Sequence, residues 1–331
     1  MTKISGVYIR KLSSKYGNGR VMGQPLGVKS FCVIEIHCGG CVGLGETYAS
    51  IYSPELVEAC VGFLKPKIEG RNIDEFFQQP GSEIFNTAPF IGNSGLLKSV
   101  WSAFDLAIWD LWGKLNKVRV AEVIKDSFEI FGRQRQKSLR TYLSGGSAAF
   151  SSSEIIDELE TVNWSNIDGF KMRAGFRPDD PERINCVMSR LTHMNIMVDL
   201  IMGTKRPAWI WSDVDKLLSL IDSQRLFWLE EPFHPSNLQA LTELNETYPW
   251  VDVALGEAYS GVLEFEPVIR EPAVTWLQLD VTHCGGISEG IEIVSRMIMA
   301  RDRDKKLGKS IAMHVWGTKL AYAANYEFAT G

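Results

Sequence analysis

The sequence is short of most features that mark a membrane, secreted or nucleic-acid-binding protein. It has no run of about 18 apolar residues, the length a spanning helix requires. Its amino-terminal stretch "MTKISGVYIRKLSS" lacks the apolar centre of a secretory signal, so a cytoplasmic protein is expected. It also lacks positive charge in excess: 35 Lys and Arg stand against 40 Asp and Glu, a formal net charge of -5. That balance gives no long-range attraction for nucleic acid or anionic lipid, and leaves a small molecule or a metal as the expected partner. No G-x-G-x-x-G and no P-loop is present, which removes the usual signals of nucleotide binding. Cysteine is sparse. Cys32, Cys38, Cys41, Cys60, Cys186 and Cys284 are scattered without framework spacing, as expected of reduced thiols. Only "HCGGC", 37–41, has two readings. A zinc site using His37 would need four ligands, and no second pair stands at finger spacing. The competing reading is a two-glycine hairpin turn that carries thiols by chance.

What is present reads as two textures. The first forty-odd residues are strand-like: "GVYIRKL" alternates, and "SFCVIEIHCGGCVGLGET" is two apolar runs around a glycine turn. From "SPELVEACVGFLKPKIEG" to about residue 134 the period is helical, with Ser53 as the expected cap and Pro54 in the first turn. Leu97, Trp101, Phe104, Ile108 and Trp112 recur at three- and four-residue steps, an apolar stripe whose plain meaning is core packing. Residues 1–134 are therefore expected to form an α+β unit.

From residue 135 to 331 short apolar runs ending in a polar residue alternate with amphipathic helices: "SLRTYLSGG", "GFKMRAG", "NIMVDLIMG", "LFWLEEPF", "VDVALGEAYS", "TWLQLDVTHCGG" and "SIAMHVWG". Each gap accommodates one helix and two loops, as right-handed β/α units require. Polar residues at every strand end favour a TIM-type barrel, whose reactive groups gather at the carboxyl ends of the strands. A doubly wound sheet, which concentrates its site at one switch point, is the alternative.

Strand alternation sends Lys171 and Arg173 to the same side and Met172 to the other. They face either the barrel interior or, as an edge pair, the solvent. Asp199, Glu230 and Glu257 end three successive strands. One such acid is ordinary helix capping, but three converging acids repel unless a cation lies between them. Hard oxygen ligands with open positions suit Mg²⁺. Of the adjacent pair, Glu230 is the expected ligand, because Pro232 constrains Glu231 toward a supporting role in the loop. Asp280 and His314 end the next two strands. Side by side they would form a carboxylate-oriented general base; a histidine buried for packing is the other reading.

Together these motifs resemble the enolase superfamily, specifically its mandelate racemase subgroup: "VDLIMG", "WLEEPF", "LGEA", "LQLDVTHCGGISEG" and "HVWG" stand in family-like order and spacing. The resemblance implies a modified (β/α)7β barrel with an N-terminal α+β capping domain. It also implies Asp199, Glu230 and Glu257 as magnesium ligands, Lys171 on a substrate carboxylate, Asp280–His314 as the base dyad, and a homo-oligomer. Members abstract the proton α to a carboxylate and stabilise the enediolate. Where the family commonly has Lys-x-Lys, this sequence has Arg173, a poor base. One-base dehydration of a sugar acid is therefore expected, with a racemase or a non-catalytic metal-binding barrel as rivals. Substrate identity is expected from loops 13–25 and 47–55, through Tyr16, Arg20 and Tyr48, with Tyr142 lining the pocket. The sequence stops at "YAANYEFATG", in the helix after the His314 strand, where the resemblance implies an eighth strand. An open barrel and an incomplete sequence are the two explanations, and the hazard of a bare parallel edge favours the second.

Overall fold

A computed structural model describes residues 3–16, 27–78, 93–129 and 138–331. The chain begins with an antiparallel sheet of β1 (Ile4–Tyr16), β2 (Gly27–Cys38) and β3 (Cys41–Glu46), in that order. "HCGGC" is the hairpin: Cys38 pairs with Cys41, and Gly39 and Gly40 have φ of 58° and 78°. A primed two-residue turn demands that conformation, and glycine adopts it without a Cβ penalty.

Two expectations here need correction. Residues 13–16 are not loop but continue β1, with Ser13 opposite Ser30 and Tyr16 opposite Gly27. Arg20 and residues 17–26 lie outside the described residues, as does the expected domain boundary at 134 and 135. Residues 47–55 are not an open loop either: Tyr48–Ile51 form a 3-10 turn, and α1 (Pro54–Leu64) follows. Ser53 stands before α1 but makes no capping bond, since its ψ of 69° is outside the extended region that aims a cap oxygen at the helix. Thr47 instead caps the preceding 3-10 turn, accepting from the Ala49 amide.

After the short α2 (Glu75–Gln78) comes α3 (Leu96–Asn116), then α4 (Val120–Glu129). In α3, Trp101, Phe104 and Ile108 are buried, as their spacing predicts. The helix is apolar on a second side too: Val100 and Phe104 pack with the three-stranded sheet, whereas Leu106 and Trp109 join the larger core. A helix that is apolar nearly all round is one that lies between two packed layers. Gly43 and Gly45 of β3 allow it in, because a Cβ at either would come within 2.0 Å or less of the Ala107 or Ala103 carbonyl oxygen.

The larger unit is a parallel sheet of β4 (Tyr142–Gly145), β5 (Gly169–Arg173), β6 (Asn195–Asp199), β7 (Leu226–Glu230), β8 (Val253–Leu255), β9 (Val274–Leu279) and β10 (Ser310–Met313). Between and after them run α5 (Ser152–Glu160), α6 (Asp180–Arg190), α7 (Trp211–Leu220), α8 (Gln239–Thr247), α9 (Val262–Arg270), α10 (Gly286–Arg303) and α11 (Lys319–Thr330). Each strand pairs in parallel with the next in chain order. A doubly wound sheet would reverse its order at a switch point, so that alternative falls. The sheet curls: the Tyr142 hydroxyl on β4 donates to the Met313 carbonyl at the end of β10, 3.2 Å away. Alternation divides its side chains. Phe170, Met172, Val198, Leu229 and Leu277 pack outward under the helices, while Met197, Trp228, Ala254 and Ala312 fill the concave interior.

Candidate active site

The register of β5, β6 and β7 aligns Arg173 with Asp199 and Asp199 with Glu230, so three charged strand ends share one level. Lys171 and Arg173 face inward, which removes the solvent-facing reading. The Lys171 ammonium lies 2.5 Å from Glu230 Oε1 and 3.6 Å from Asp199 Oδ2, with only 6% of the residue exposed. Arg173 Nε is 3.9 Å from the same Asp199 oxygen, and its guanidinium stands 5.7 Å from the Trp316 ring. Burial alone would depress Lys171, but Glu230 and Asp199 outweigh it and hold the amine well above its ordinary value.

Asp199, Glu230 and Glu257 each offer an oxygen, and these oxygens lie within 4.8 Å of one another. Two carboxylates at that range repel by about 3–4 kcal/mol at an effective dielectric of about 20. The strain shows on Asp199, pushed up to about 6 by burial and by Glu230, against the pull of Lys171. Neutral donors fix part of each carboxylate: Ile201 N–H to Asp199 Oδ1 at 3.0 Å, and Trp228 Nε1–H to Glu230 Oε2 at 3.1 Å. Glu257 follows Gly256, whose φ of 152°, and the Gln278 carbonyl oxygen that a Cβ there would meet at 1.9 Å, exclude a side chain. Three carboxylate oxygens, mutually repelling and mostly buried, form a hard donor set that fits a magnesium ion. Glu231 turns away from the trio with φ of 43°. It is 1% exposed and accepts from the Gly203 amide at 3.1 Å, behind the cluster, as its place before Pro232 leads one to expect.

Across the mouth, His314 follows β10 directly. Its Nδ1 lies 2.9 Å from Asp280 Oδ2 and its Nε2 lies 3.1 Å from Glu257 Oε2. The other Asp280 oxygen accepts from the Thr282 amide at 2.8 Å, the Thr282 hydroxyl at 2.7 Å and the Asn325 side-chain amide at 3.1 Å. Burial would lower His314, but Glu257 and the hydrogen-bonded Asp280 raise it. Burial would raise Asp280, but the bond to His314 and those to Thr282 and Asn325 lower it. The histidine is thus oriented by a carboxylate on one nitrogen and presents the other to the acidic cluster, unlike a histidine buried for packing alone.

Tyr48 reaches the site from the first unit, but its hydroxyl donates to the Glu257 carbonyl at 3.0 Å and its ring stacks on His283 at 4.4 Å. It forms wall rather than offering a free hydroxyl. Tyr142 lies in the interior, edge-on to Trp228 at 5.3 Å and 6.0 Å from the Lys171 ammonium. Tyr16 is the last residue of β1.

Sequence reasoning missed Lys29, which β2 brings to within 4.6 Å of the Trp316 ring, and which burial and Arg173 press down to about 8. It also missed His283, whose Nδ1 meets the Ser99 hydroxyl at 2.9 Å, and Asn325. For Asn325 a signal existed: it is a polar residue at a core step of α11, between Ala321 and Phe328, both buried.

Known proteins share this fold. The family described as "Enolase C-terminal domain-like" matches residues 154–331, and the chain belongs to it, within the enolase superfamily. D-galactarolactone cycloisomerase of Agrobacterium fabrum is 25% identical over 310 residues, 91% of this chain and 75% of that protein. L-rhamnonate dehydratase of Saccharopolyspora erythraea is 26% identical over 288 residues, 85% of this chain and 68% of that one. The crystal structure of L-talarate dehydratase from Polaromonas sp., in complex with Mg and L-glucarate, superimposes with a TM-score of 0.76. It is 22% identical and matches 98% of this chain and 84% of its own, which establishes the shared fold of capping sheet and curled parallel sheet.

Proposed function

We propose that this chain is an acid-sugar dehydratase: it removes the proton α to a sugar acid's carboxylate and expels the β-hydroxyl as water. The observation that carries the reading is His314, held by Asp280 on one nitrogen and facing the Asp199–Glu230–Glu257 cluster with the other, with Lys171 opposite. The three carboxylates would hold magnesium, which when bound supplies the positive charge that offsets the negative charge developing on the substrate's carboxylate oxygens.

The chain's own residues do the rest. Lys171 stays protonated and attracts the substrate carboxylate. His314 accepts the α-proton at Nε2, and Asp280 holds the resulting imidazolium in place. The C–H electron pair becomes the carbon–carbon double bond as the bond from the β-carbon to its hydroxyl breaks. The imidazolium proton leaves with that oxygen as water, and the enol tautomerises to a 2-keto acid. A guanidinium is a poor base, so Arg173 does not supply a second base on the opposite face, which favours elimination over racemisation. The names of the relatives, two of them dehydratases of sugar acids, support the substrate class.

The test is incubation with galactarate, L-talarate and L-rhamnonate in deuterium oxide, with and without Mg²⁺. Magnesium-dependent appearance of a deuterated 2-keto-3-deoxy acid is expected. Exchange with inversion and retention of the β-hydroxyl would make the protein an epimerase. No exchange with any acid would make it a non-catalytic barrel.

A further inference from the structure

Asn325 sits on the last helix, away from every strand end, yet its side chain reaches the base dyad. The residue is 1% exposed. Its side-chain amide nitrogen donates to Asp280 Oδ1 at 3.1 Å and to the Ala321 carbonyl at 3.1 Å, while its oxygen accepts from the Val281 amide at 3.0 Å. One side chain thus grips both the carboxylate of Asp280 and the peptide that follows it. Its Ala321 bond ties that grip to the helix itself.

The geometry points to Asn325 as a positioning residue for proton transfer, one that locks the Asp280 carboxylate so that Oδ2 stays aimed at His314 Nδ1. An Asp side chain can rotate about its terminal bond, and two oxygens then compete for the imidazole. Here Oδ1 is saturated by Asn325 and by the Thr282 amide and hydroxyl, leaving Oδ2 for the histidine. These donors come from two places, the loop after β9 and the middle of α11, so they fix the carboxylate from two directions. A buried asparagine costs free energy unless its amide is fully bonded, and it adds nothing to the core that leucine would not. Its side-chain hydrogen bonds serve the Asp280 loop and its own helix.

This inference rests on the reading of Asp280 and His314 as the base, so the experiment separates the two. The near-isosteric Asn325→Leu keeps the packing and removes the bonds; Asn325→Ala removes both. Two readouts are taken on the full chain with Mg²⁺. One is the NMR signal of the His314 Nδ1–H proton in ¹⁵N-histidine-labelled protein, assigned by its loss in His314→Asn, which needs no substrate. The other is α-deuterium exchange with galactarate, L-talarate and L-rhamnonate.

Asn325→Leu is expected to shift or broaden the His314 ring signal while the other four histidines keep theirs. Its kcat for exchange should fall by about 10- to 100-fold, as for other residues that orient a working imidazole, with KM and the Mg²⁺ Kd within about twofold. A Leu variant that keeps the parent's His314 signal and exchange rate, with only the Ala variant impaired, overturns the proposal in favour of packing. If the parent exchanges no acid, the functional reading fails, and the ring signal alone decides on Asn325. Should neither Asn325 variant fold, Thr282→Val removes another donor to the same oxygen. A smaller change of the same kind is then expected, and an unchanged signal and kcat would count against the mechanism.

Discussion

On the β5–β7 side of the mouth, charge answers charge: the Lys171 ammonium lies between Glu230 and Asp199, and Arg173 stands at the margin. On the β9–β10 side a single histidine is steered by Asp280, and Asp280 is held by neutral donors from Thr282 and Asn325. The first arrangement is electrostatically tense and is eased by adding or removing a charge. The second is fixed mainly by directional hydrogen bonds to Asp280, although Glu257, 3.1 Å from His314 Nε2, also acts on it through charge. One side suits holding a cation and an anionic substrate, the other suits moving one proton between fixed atoms.

That contrast can be broken most sharply with His314→Asn. Exchange of the α-proton should fall by about 10²- to 10⁴-fold, the range of general-base catalysis, while calorimetric titration finds magnesium affinity within a few-fold of the parent. A variant that loses metal binding along with activity would show that the two sides are not separate.

Lys171→Met attacks the charged side. It leaves Glu230 and Asp199 facing each other without their cation, so the metal-free protein should lose about 3–5 kcal/mol in urea unfolding. Magnesium should recover part of this, since a ligand of the folded state stabilises it.

A pH series on metal-free protein tests the same tension without mutation. Asp199 is raised from its ordinary 3.8 to about 6 in the folded state. The folded chain therefore holds a proton there that the unfolded chain releases, and stability falls as pH rises from about 4 to 6. The drop is at most about 3 kcal/mol. Glu231, pushed far up by burial and by Glu257, acts in the same direction. Urea midpoints in chelator at several pH values should show the decline, and Asp199→Asn should flatten it.

Arg173→Lys is the gentlest probe. The guanidinium is a third exposed and 3.9 Å from its partner, so stability should move by less than about 1 kcal/mol. Chemistry should respond more than stability: an amine able to lose its proton on that face is expected to add epimerised acid to the products, seen by chromatography. Epimerised product already present in the parent would end the one-base reading.

The charged side was legible in the sequence because each member occupies the same place in its β/α unit, and a period of two decides which way it points. That period put Lys171 and Arg173 on one side without saying whether it faced the interior, and the choice of Glu230 over Glu231 needed Pro232 as well. The Asp280–His314 pair was legible for the same reason, although only as a conditional, since adjacency of β9 and β10 is a property of the sheet. Residues brought from other layers were not. Lys29 lies in a strand whose partner across the mouth, Trp316, is nearly the whole chain away, and no local pattern links them. Tyr48 was expected to contact substrate; that its hydroxyl is engaged by the Glu257 main chain is a tertiary fact. Ser53 illustrates the limit of local rules: the right residue precedes the helix, and its backbone angle disables the bond.

One contact between the two units has a mechanical meaning. Glu46, the last residue of β3, is fully buried and accepts from the Thr318 amide at 2.9 Å and from the Thr318 hydroxyl at 2.5 Å. Thr318 caps α11 and stands four positions after His314. Any excursion that lifts the amino-terminal sheet must therefore either tear this clasp or drag the imidazole's own tether with it. If His314 is the base, a displacement of that sheet would disturb the imidazole's seat as well, so one clasp couples the amino-terminal unit to the proposed chemistry.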